Sequence, residues 1–125
     1  MDSVPRRRST QAWAALCAVA VIAISQAQAH ARLAGADPAP HSTVSAPARI
    51  RLRFSEDLAK KFCSITLAGV NASPVALVPV DERDARILVV APAAALAAGQ
   101  YYLSWVAVAS DDGHKTTGTF SFTVK

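Results

Sequence analysis

The segment Arg49-Ile50-Arg51-Leu52-Arg53-Phe54 decides the fold of this chain. Apolar residues alternate with arginines along it, so one face of an extended chain carries Ile50, Leu52 and Phe54 and the other carries the three arginines. Such alternation is typical of a strand that covers a core with one face and meets solvent with the other. The arginine face is interpreted as a solvated surface, with a docking site for an anionic partner as the alternative.

Strand patterns separated by turn residues continue on both sides of this segment. The predicted strands lie near Leu33 and at residues 49–54, 62–67, 75–80, 86–90, 101–107 and 116–124. Pro79 places the fourth of them at a sheet edge, because proline cannot donate to a strand ladder. Seven short strands without a convincing helix predict an all-β fold, an antiparallel sandwich.

The first 29 residues have the three-part layout of a secretory signal peptide. Three arginines at residues 6–8 precede an apolar run from Trp13 to Ile24, which is shorter than the roughly 20 residues of a membrane span. Ala27-Gln28-Ala29 then places small residues at the two positions that a signal peptidase reads. We therefore expect cleavage after Ala29 and export of a mature domain, residues 30–125, with an uncleaved membrane anchor as the alternative.

The expected mature domain is weakly charged and has one cysteine. Loss of residues 1–29 removes three of the 13 Lys and Arg residues and one of the nine Asp and Glu residues, which leaves a net charge of +2. That balance is too mild for a nucleic-acid-binding protein, which needs a concentrated basic face. Cys63 alternates with Ile65 and Leu67, and we interpret it as a core residue rather than a copper ligand or redox group.

Two distant segments carry the candidate chemistry: His30, at the new N-terminus, and Asp112-Gly113-His114. A free N-terminal histidine offers its α-amine and its imidazole to one ion, and a metal displaces protons from both near neutral pH. Asp112 and His114 are spaced i, i+2, so in an extended segment their side chains leave the same face. An ordinary turn is the alternative for this pair. Two imidazoles, an amine and a carboxylate suit tetragonal copper(II).

These residues resemble the CopC family of periplasmic copper-resistance proteins. The resemblance covers the mature chain and is carried by His30, Phe54-Ser55-Glu56, Tyr102, Trp105, Asp112-Gly113-His114, Gly118 and the closing Phe120-Ser121-Phe122-Thr123-Val124. It implies a seven-stranded Greek-key sandwich or barrel of cupredoxin-like or immunoglobulin-like kind. It also implies one copper(II) ion per chain, bound by His30 through amine and ring and by Asp112 and His114. Glu56 matches a family acid close to the metal, as a weak or indirect ligand; a turn residue is the alternative.

The sequence departs from the best-known members of that family in two respects. Those members carry a methionine-rich loop that binds copper(I), whereas the only methionine here is Met1. The mature chain therefore has no thioether ligand, and copper(II) alone is expected. The stretch from Trp105 to His114 is also one residue longer than usual, which makes Asp111 an alternative to Asp112. His41, in a turn, is predicted to be a surface residue rather than a further ligand.

The resemblance implies a periplasmic copper(II) carrier or buffer in copper homeostasis or resistance, and not an enzyme. Its expected partners are the copper ion and a membrane copper transporter or another periplasmic copper protein, and we expect a monomer. A histidine-brace copper enzyme of the monooxygenase type is one alternative, although a domain of 96 residues offers no obvious flat substrate surface. An immunoglobulin-like interaction module with incidental histidines is the other.

Overall fold

Nine strands and two short helical turns build the part of the chain that the structure, a computed structural model, describes: residues 30–125, together with Ser3. The strands are β1 Leu33–Asp37, β2 Thr43–Val44, β3 Ile50–Phe54, β4 Ser64–Ala68, β5 Pro74–Val75, β6 Leu77–Val80, β7 Ile87–Pro92, β8 Gly99–Val108 and β9 Lys115–Val124. The helical turns are 3-10 in type and span Lys60–Phe62 and Val70–Ala72. The predicted signal peptide and its cleavage after Ala29 lie outside the described residues.

The strands form two sheets packed around one core. The four-stranded sheet has the order β1-β3-β7-β6, and the five-stranded sheet has the order β2-β9-β8-β4-β5. Within residues 30–125 the sheets remain separate, so the predicted all-β sandwich is confirmed and the barrel alternative is not. No helical segment of this described part is long and apolar enough to cross a membrane.

The predicted count of seven antiparallel strands differs from the structure. The two additional strands, β2 and β5, have two residues each, too few for a periodic pattern to reveal. The predicted strand at residues 75–80 divides at Ala76, so that β5 pairs with β4 while β6 pairs with β7 in the other sheet. The pairing of β2 with β9 is parallel, whereas the other strand pairs are antiparallel. Pro79 does lie in an edge strand, β6, as predicted.

The core confirms the alternation from which the sandwich was predicted. Ile50, Leu52 and Phe54 are fully buried, and the three arginines between them and before them are exposed. From the other sheet, the inward faces of β8 and β9 contribute Tyr101, Leu103, Trp105, Ala107, Phe120, Phe122 and Val124. The indole of Trp105 packs edge to face on Phe54, with ring centroids 5.1 Å apart. Trp105 is therefore a core residue.

Candidate metal centre

His30 and His114 lie side by side although they are far apart in sequence. Their ring centroids are 3.9 Å apart, and the ring planes are inclined by 64°. His30 precedes β1 of the four-stranded sheet, and His114 precedes β9 of the five-stranded sheet. The pair therefore bridges the two sheets at one end of the sandwich. We call this region, with Ala31 and Thr116, the histidine end.

One ring nitrogen at the histidine end has no hydrogen-bond partner in the part of the chain that the structure describes. Nδ1 of His30 is buried and makes no hydrogen bond within the described residues. A buried polar atom left in this state costs about 1–3 kcal/mol, and native proteins pair nearly all such atoms. Neutral imidazole is also a common metal ligand. Nδ1 is the ring nitrogen nearer the main chain, so it can close a chelate ring with the α-nitrogen of the same residue. Its position fits a metal ion.

Asp112 lies in a turn and not in the extended segment that its spacing predicted. Strand β9 begins only at Lys115, and Gly113 has a φ of 71°. Nothing lies within 4 Å of the position that a side chain of Gly113 would occupy, so positive φ, and not a close backbone approach, accounts for this glycine. Oδ1 of Asp112 accepts a hydrogen bond of 2.9 Å from the backbone N–H of His114. The carboxylate thereby orients the residue that carries the second ring.

The described residues bring together two of the predicted ligands. Among residues 30–125 and Ser3, no three His, Cys, Asp or Glu side chains lie close enough together to hold a metal ion. The carboxylates of Asp112 and Glu56 are therefore not within ligand distance of both rings. Glu56 is half-buried beside Ser55, and Asp111 is exposed on the turn. His41 is exposed, as predicted.

Short hydrogen bonds fix the chain immediately after His30. The backbone N–H of Arg32 donates to Oγ of Ser55 at 2.9 Å, and the backbone N–H of Ser55 donates to the carbonyl of Arg32 at 2.8 Å. From the other sheet, Oγ1 of Thr116 donates to the carbonyl of Ala31 at 2.7 Å. Sequence reasoning missed both hydroxyls. The available signal for Thr116 was its place on the inward, even-numbered face of β9, where a polar residue requires a partner.

The loop before His114 is held as firmly. The backbone N–H of Ala109 donates to the carbonyl of His114 at 3.0 Å and closes the loop on itself. The backbone N–H of Ser110 donates to the carbonyl of Asp57 at 2.9 Å, and Leu58 forms an isolated β-bridge with Ala109. The segment after β3 therefore supports both histidines, through Ser55 on one side and through Asp57 and Leu58 on the other.

A cavity of about 420 Å³ opens between the sheets at a different place. We call it the cleft. Its apolar lining includes Ile65, Leu77, Pro79, Leu88 and Val90, and Cys63, Lys60 and Glu82 also line it. No residue of the histidine end contributes to it. Cys63 packs against the core, as predicted, and its Sγ accepts a hydrogen bond of 3.3 Å from the backbone N–H of Val108. Burial raises the pKa of this thiol, and the Val108 hydrogen bond and the charge of Lys60 oppose that rise.

Comparisons of sequence and of structure with known proteins find relatives of one family. A family model for the CopC domain matches residues 33–125. Copper resistance protein C of Pseudomonas syringae pv. tomato is 38% identical over 117 residues, which cover 88% of this chain and 92% of that protein. The crystal structure of PcoC, a methionine-rich copper resistance protein from Escherichia coli, has a TM-score of 0.72 at 38% identity, covering 77% of this chain and 99% of its own. CopC from Methylosinus trichosporium OB3b has a TM-score of 0.70 at 28% identity, covering 77% and 94%.

Proposed function

Because the chain belongs to the CopC domain family, we propose that it is a periplasmic copper(II)-binding protein that carries or buffers copper in copper homeostasis or resistance. The names of its relatives, copper resistance proteins, support copper as the cargo. The observation that carries the proposal is the buried, unpaired Nδ1 of His30 beside the ring of His114. This nitrogen is shielded from water and has a lone pair that the described residues leave unused.

In the proposed site, cleavage after Ala29 converts the amide nitrogen of His30 into an amine. The amine and Nδ1 then chelate one copper(II) ion per chain, and His114 supplies the second imidazole. Asp112 does not lie within ligand distance of both rings in the structure, and we propose that it moves toward them when copper binds. It would then complete an N3O set with its free oxygen, because Oδ1 already holds the backbone of His114. Glu56 acts as a weak or indirect ligand. This donor set suits tetragonal copper(II), which binds such sites more tightly than the other divalent ions of the first transition row.

The proposal is specific for copper(II). Thioethers favour copper(I), and PcoC is described as methionine-rich, whereas the only methionine of this chain, Met1, lies in the predicted signal peptide. The remaining soft ligand of the described residues, Cys63, lies in the cleft and not at the histidine end. Export by the signal peptide places the mature protein in the periplasm. There it acts as a monomer that exchanges copper with a membrane copper transporter or another periplasmic copper protein.

The test uses the exported protein. Intact-mass spectrometry should give a chain that begins at His30 and gains the mass of one copper ion when copper(II) is added. Adding one alanine before His30 removes the amine from the chelate, and we expect copper(II) affinity to fall at least about a hundredfold. One alanine added after Lys125 is the matched control and should change nothing. Equal affinity of the two extended proteins would exclude the chelate.

We propose carriage of copper rather than catalysis. The relatives described above are named as copper resistance proteins or by the family name, and none is named as an enzyme. A histidine-brace monooxygenase would release soluble oxidised sugars from polysaccharide when supplied with copper, a reductant and peroxide. The copper-loaded carrier should release none above the level of free copper, and release that depends on His30 would support the enzyme instead.

A further inference from the structure

We propose that the hydroxyl of Thr116 positions His30 against His114 by clasping the two sheets together. This inference rests on the proposed copper(II) site and adds to it a residue that is not itself a ligand. The clasp is the hydrogen bond of 2.7 Å from Oγ1 of Thr116 to the carbonyl of Ala31. Each end of this bond lies within two residues of one of the two imidazole rings.

The position of the bond gives it this role. Within the described residues it is the one hydrogen bond that joins residues 30–32 to β9. His30 and His114 precede strands of different sheets, so no strand ladder fixes the distance between them. Ser55 also holds the segment after His30, but it lies at the end of β3 in the same sheet as β1. Ser55 therefore fixes the segment within its own sheet, and Thr116 fixes it relative to the other sheet.

The surroundings of Thr116 explain why loss of its hydroxyl should be costly. Thr116 pairs with Ala107, which is fully buried, so its side chain points between the sheets. Ala31 is also fully buried. Thr116 is half-buried and its bond to the carbonyl is partly buried. The carbonyl of Ala31 is withheld from water, so it cannot exchange this bond for one with solvent at no cost. Valine would occupy nearly the same volume and leave the carbonyl of Ala31 unpaired.

A metal site depends on such support. Ligands must be held within about 0.5 Å of a productive geometry, and ligands that are free to move lose affinity because binding must then order them. Without the clasp, the segment that carries His30 can shift along the end of the sandwich. The proposed chelate by His30 would still form, but the imidazole of His114 would be in position to bind the same ion for a smaller fraction of the time.

The test compares three variants of the mature protein. Thr116→Val removes the hydroxyl and keeps the shape, Thr116→Ser restores the hydroxyl, and Thr119→Val makes the same chemical change at an exposed, outward position of β9. The readouts are the copper(II) Kd, the electron paramagnetic resonance spectrum of bound copper(II), and the nuclear Overhauser effect between the two rings in metal-free protein. For Thr116→Val we expect affinity to fall about five- to tenfold, the size of one hydrogen bond, with a changed spectrum and a weakened ring-to-ring effect. Thr116→Ser should stay within about twofold of wild type, and Thr119→Val should match wild type.

The inference would be overturned if Thr116→Val kept the wild-type copper(II) affinity, spectrum and ring-to-ring effect. A lowered melting temperature alone would then mean that the hydrogen bond stabilises the fold and does not position His30. If Thr116→Val does not fold, Thr116→Ala removes the same hydroxyl and carries the same expectations. Should the wild-type protein bind no copper(II), the proposed function fails, whereas the ring-to-ring effect in metal-free protein still decides whether Thr116 positions His30.

Discussion

The histidine end and the cleft are two places where this sandwich departs from a closed apolar core, and they depart in opposite ways. The cleft has empty volume: its 420 Å³ lies within the range of about 300–1,000 Å³ that is common for small-molecule sites. Its thiol nonetheless has a hydrogen-bond partner, the backbone of Val108. At the histidine end the neighbouring carbonyl of Ala31 has a hydrogen-bond partner, whereas the ring nitrogen Nδ1 of His30 has none within residues 30–125.

If the proposed copper(II) site is correct, the difference teaches that an unpaired polar atom indicates a ligand better than empty space does. The cleft opens where the chain crosses between sheets at Ala76, which leaves Leu88 and Val90 half-buried although their register partners Leu52 and Ile50 are fully buried. Apolar side chains beside such a gap have no hydrogen bond to lose, so the gap does not by itself call for a ligand. An unpaired buried nitrogen, in contrast, costs free energy until something binds it.

The largest expected effect is on copper(II) affinity, and it tests the histidine end. His114→Ala removes one of two imidazoles, and copper(II) affinity should fall at least about a hundredfold, or about 2.8 kcal/mol. Isothermal titration against a competing chelator measures the loss. His41→Ala, which removes an exposed histidine, is the control and should bind like wild type. Equal losses in the two variants would mean that copper binds histidines without regard to the site.

The second effect concerns packing. A Cβ at Gly118 would collide with the indole of Trp105, whereas one at Gly69 would meet its nearest neighbour, Tyr101, at an ordinary 3.7 Å. Gly118→Ala should therefore lower the free energy of unfolding by about 2 kcal/mol, measured by urea denaturation. Gly69→Ala is the matched control and should stay within about 0.5 kcal/mol of wild type.

A side chain enlarged in the cleft should, in contrast, leave the free energy of unfolding almost unchanged. Val90→Ile adds a methylene group to a side chain that lines the open space, and it should change the free energy of unfolding by less than about 0.5 kcal/mol. A loss as large as that of Gly118→Ala would show that the cleft closes in solution and that the contrast between the two regions does not hold.

The third effect decides what Asp112 contributes. Asp112→Ala removes both the charge and the acceptor for the backbone N–H of His114, whereas Asp112→Asn removes the charge and keeps an acceptor oxygen. If the carboxylate binds copper(II), both variants should lose about tenfold in affinity, or about 1.4 kcal/mol. If it only holds the turn, Asp112→Asn should bind like wild type. Asp111→Asn tests the neighbouring aspartate and should have no effect.

The sequence predicted the sandwich because its long strands alternate: β3, β8 and β9 carry their buried residues at every second position. The pairing of His30 with His114 could also be predicted, through the cleavage motif and the family resemblance. The break at Ala76 could not, since residues 75–80 read as one strand and sheet membership is decided by distant partners. Nor could Thr116 be identified, because the pattern shows that it faces inward but not which carbonyl from the other sheet it meets.

The smallest effect is expected in the cleft, at Cys63. Burial raises the pKa of this thiol above its ordinary value of 9.0, with partial opposition from the Val108 hydrogen bond and from Lys60. The folded protein then holds the thiol proton more tightly than the unfolded chain does. The resulting contribution to the free energy of unfolding is fully present below pH 9.0 and is lost as the pH rises through the raised value.

Comparison with Cys63→Ala isolates this contribution, because the other titrating groups are common to both proteins. The difference in free energy of unfolding between wild type and Cys63→Ala should be constant at neutral pH and should shift against wild type above the ordinary thiol pKa of 9.0. Urea denaturation at a series of pH values measures it, and a difference that stays flat through this range would show that folding does not protect the thiol proton. Copper(II) affinity at neutral pH should be the same in both proteins, since Cys63 lines the cleft and not the histidine end. A weaker affinity in Cys63→Ala would mean that the cleft supports the metal site through Val108, whose backbone binds Sγ of Cys63 just before the loop that carries His114.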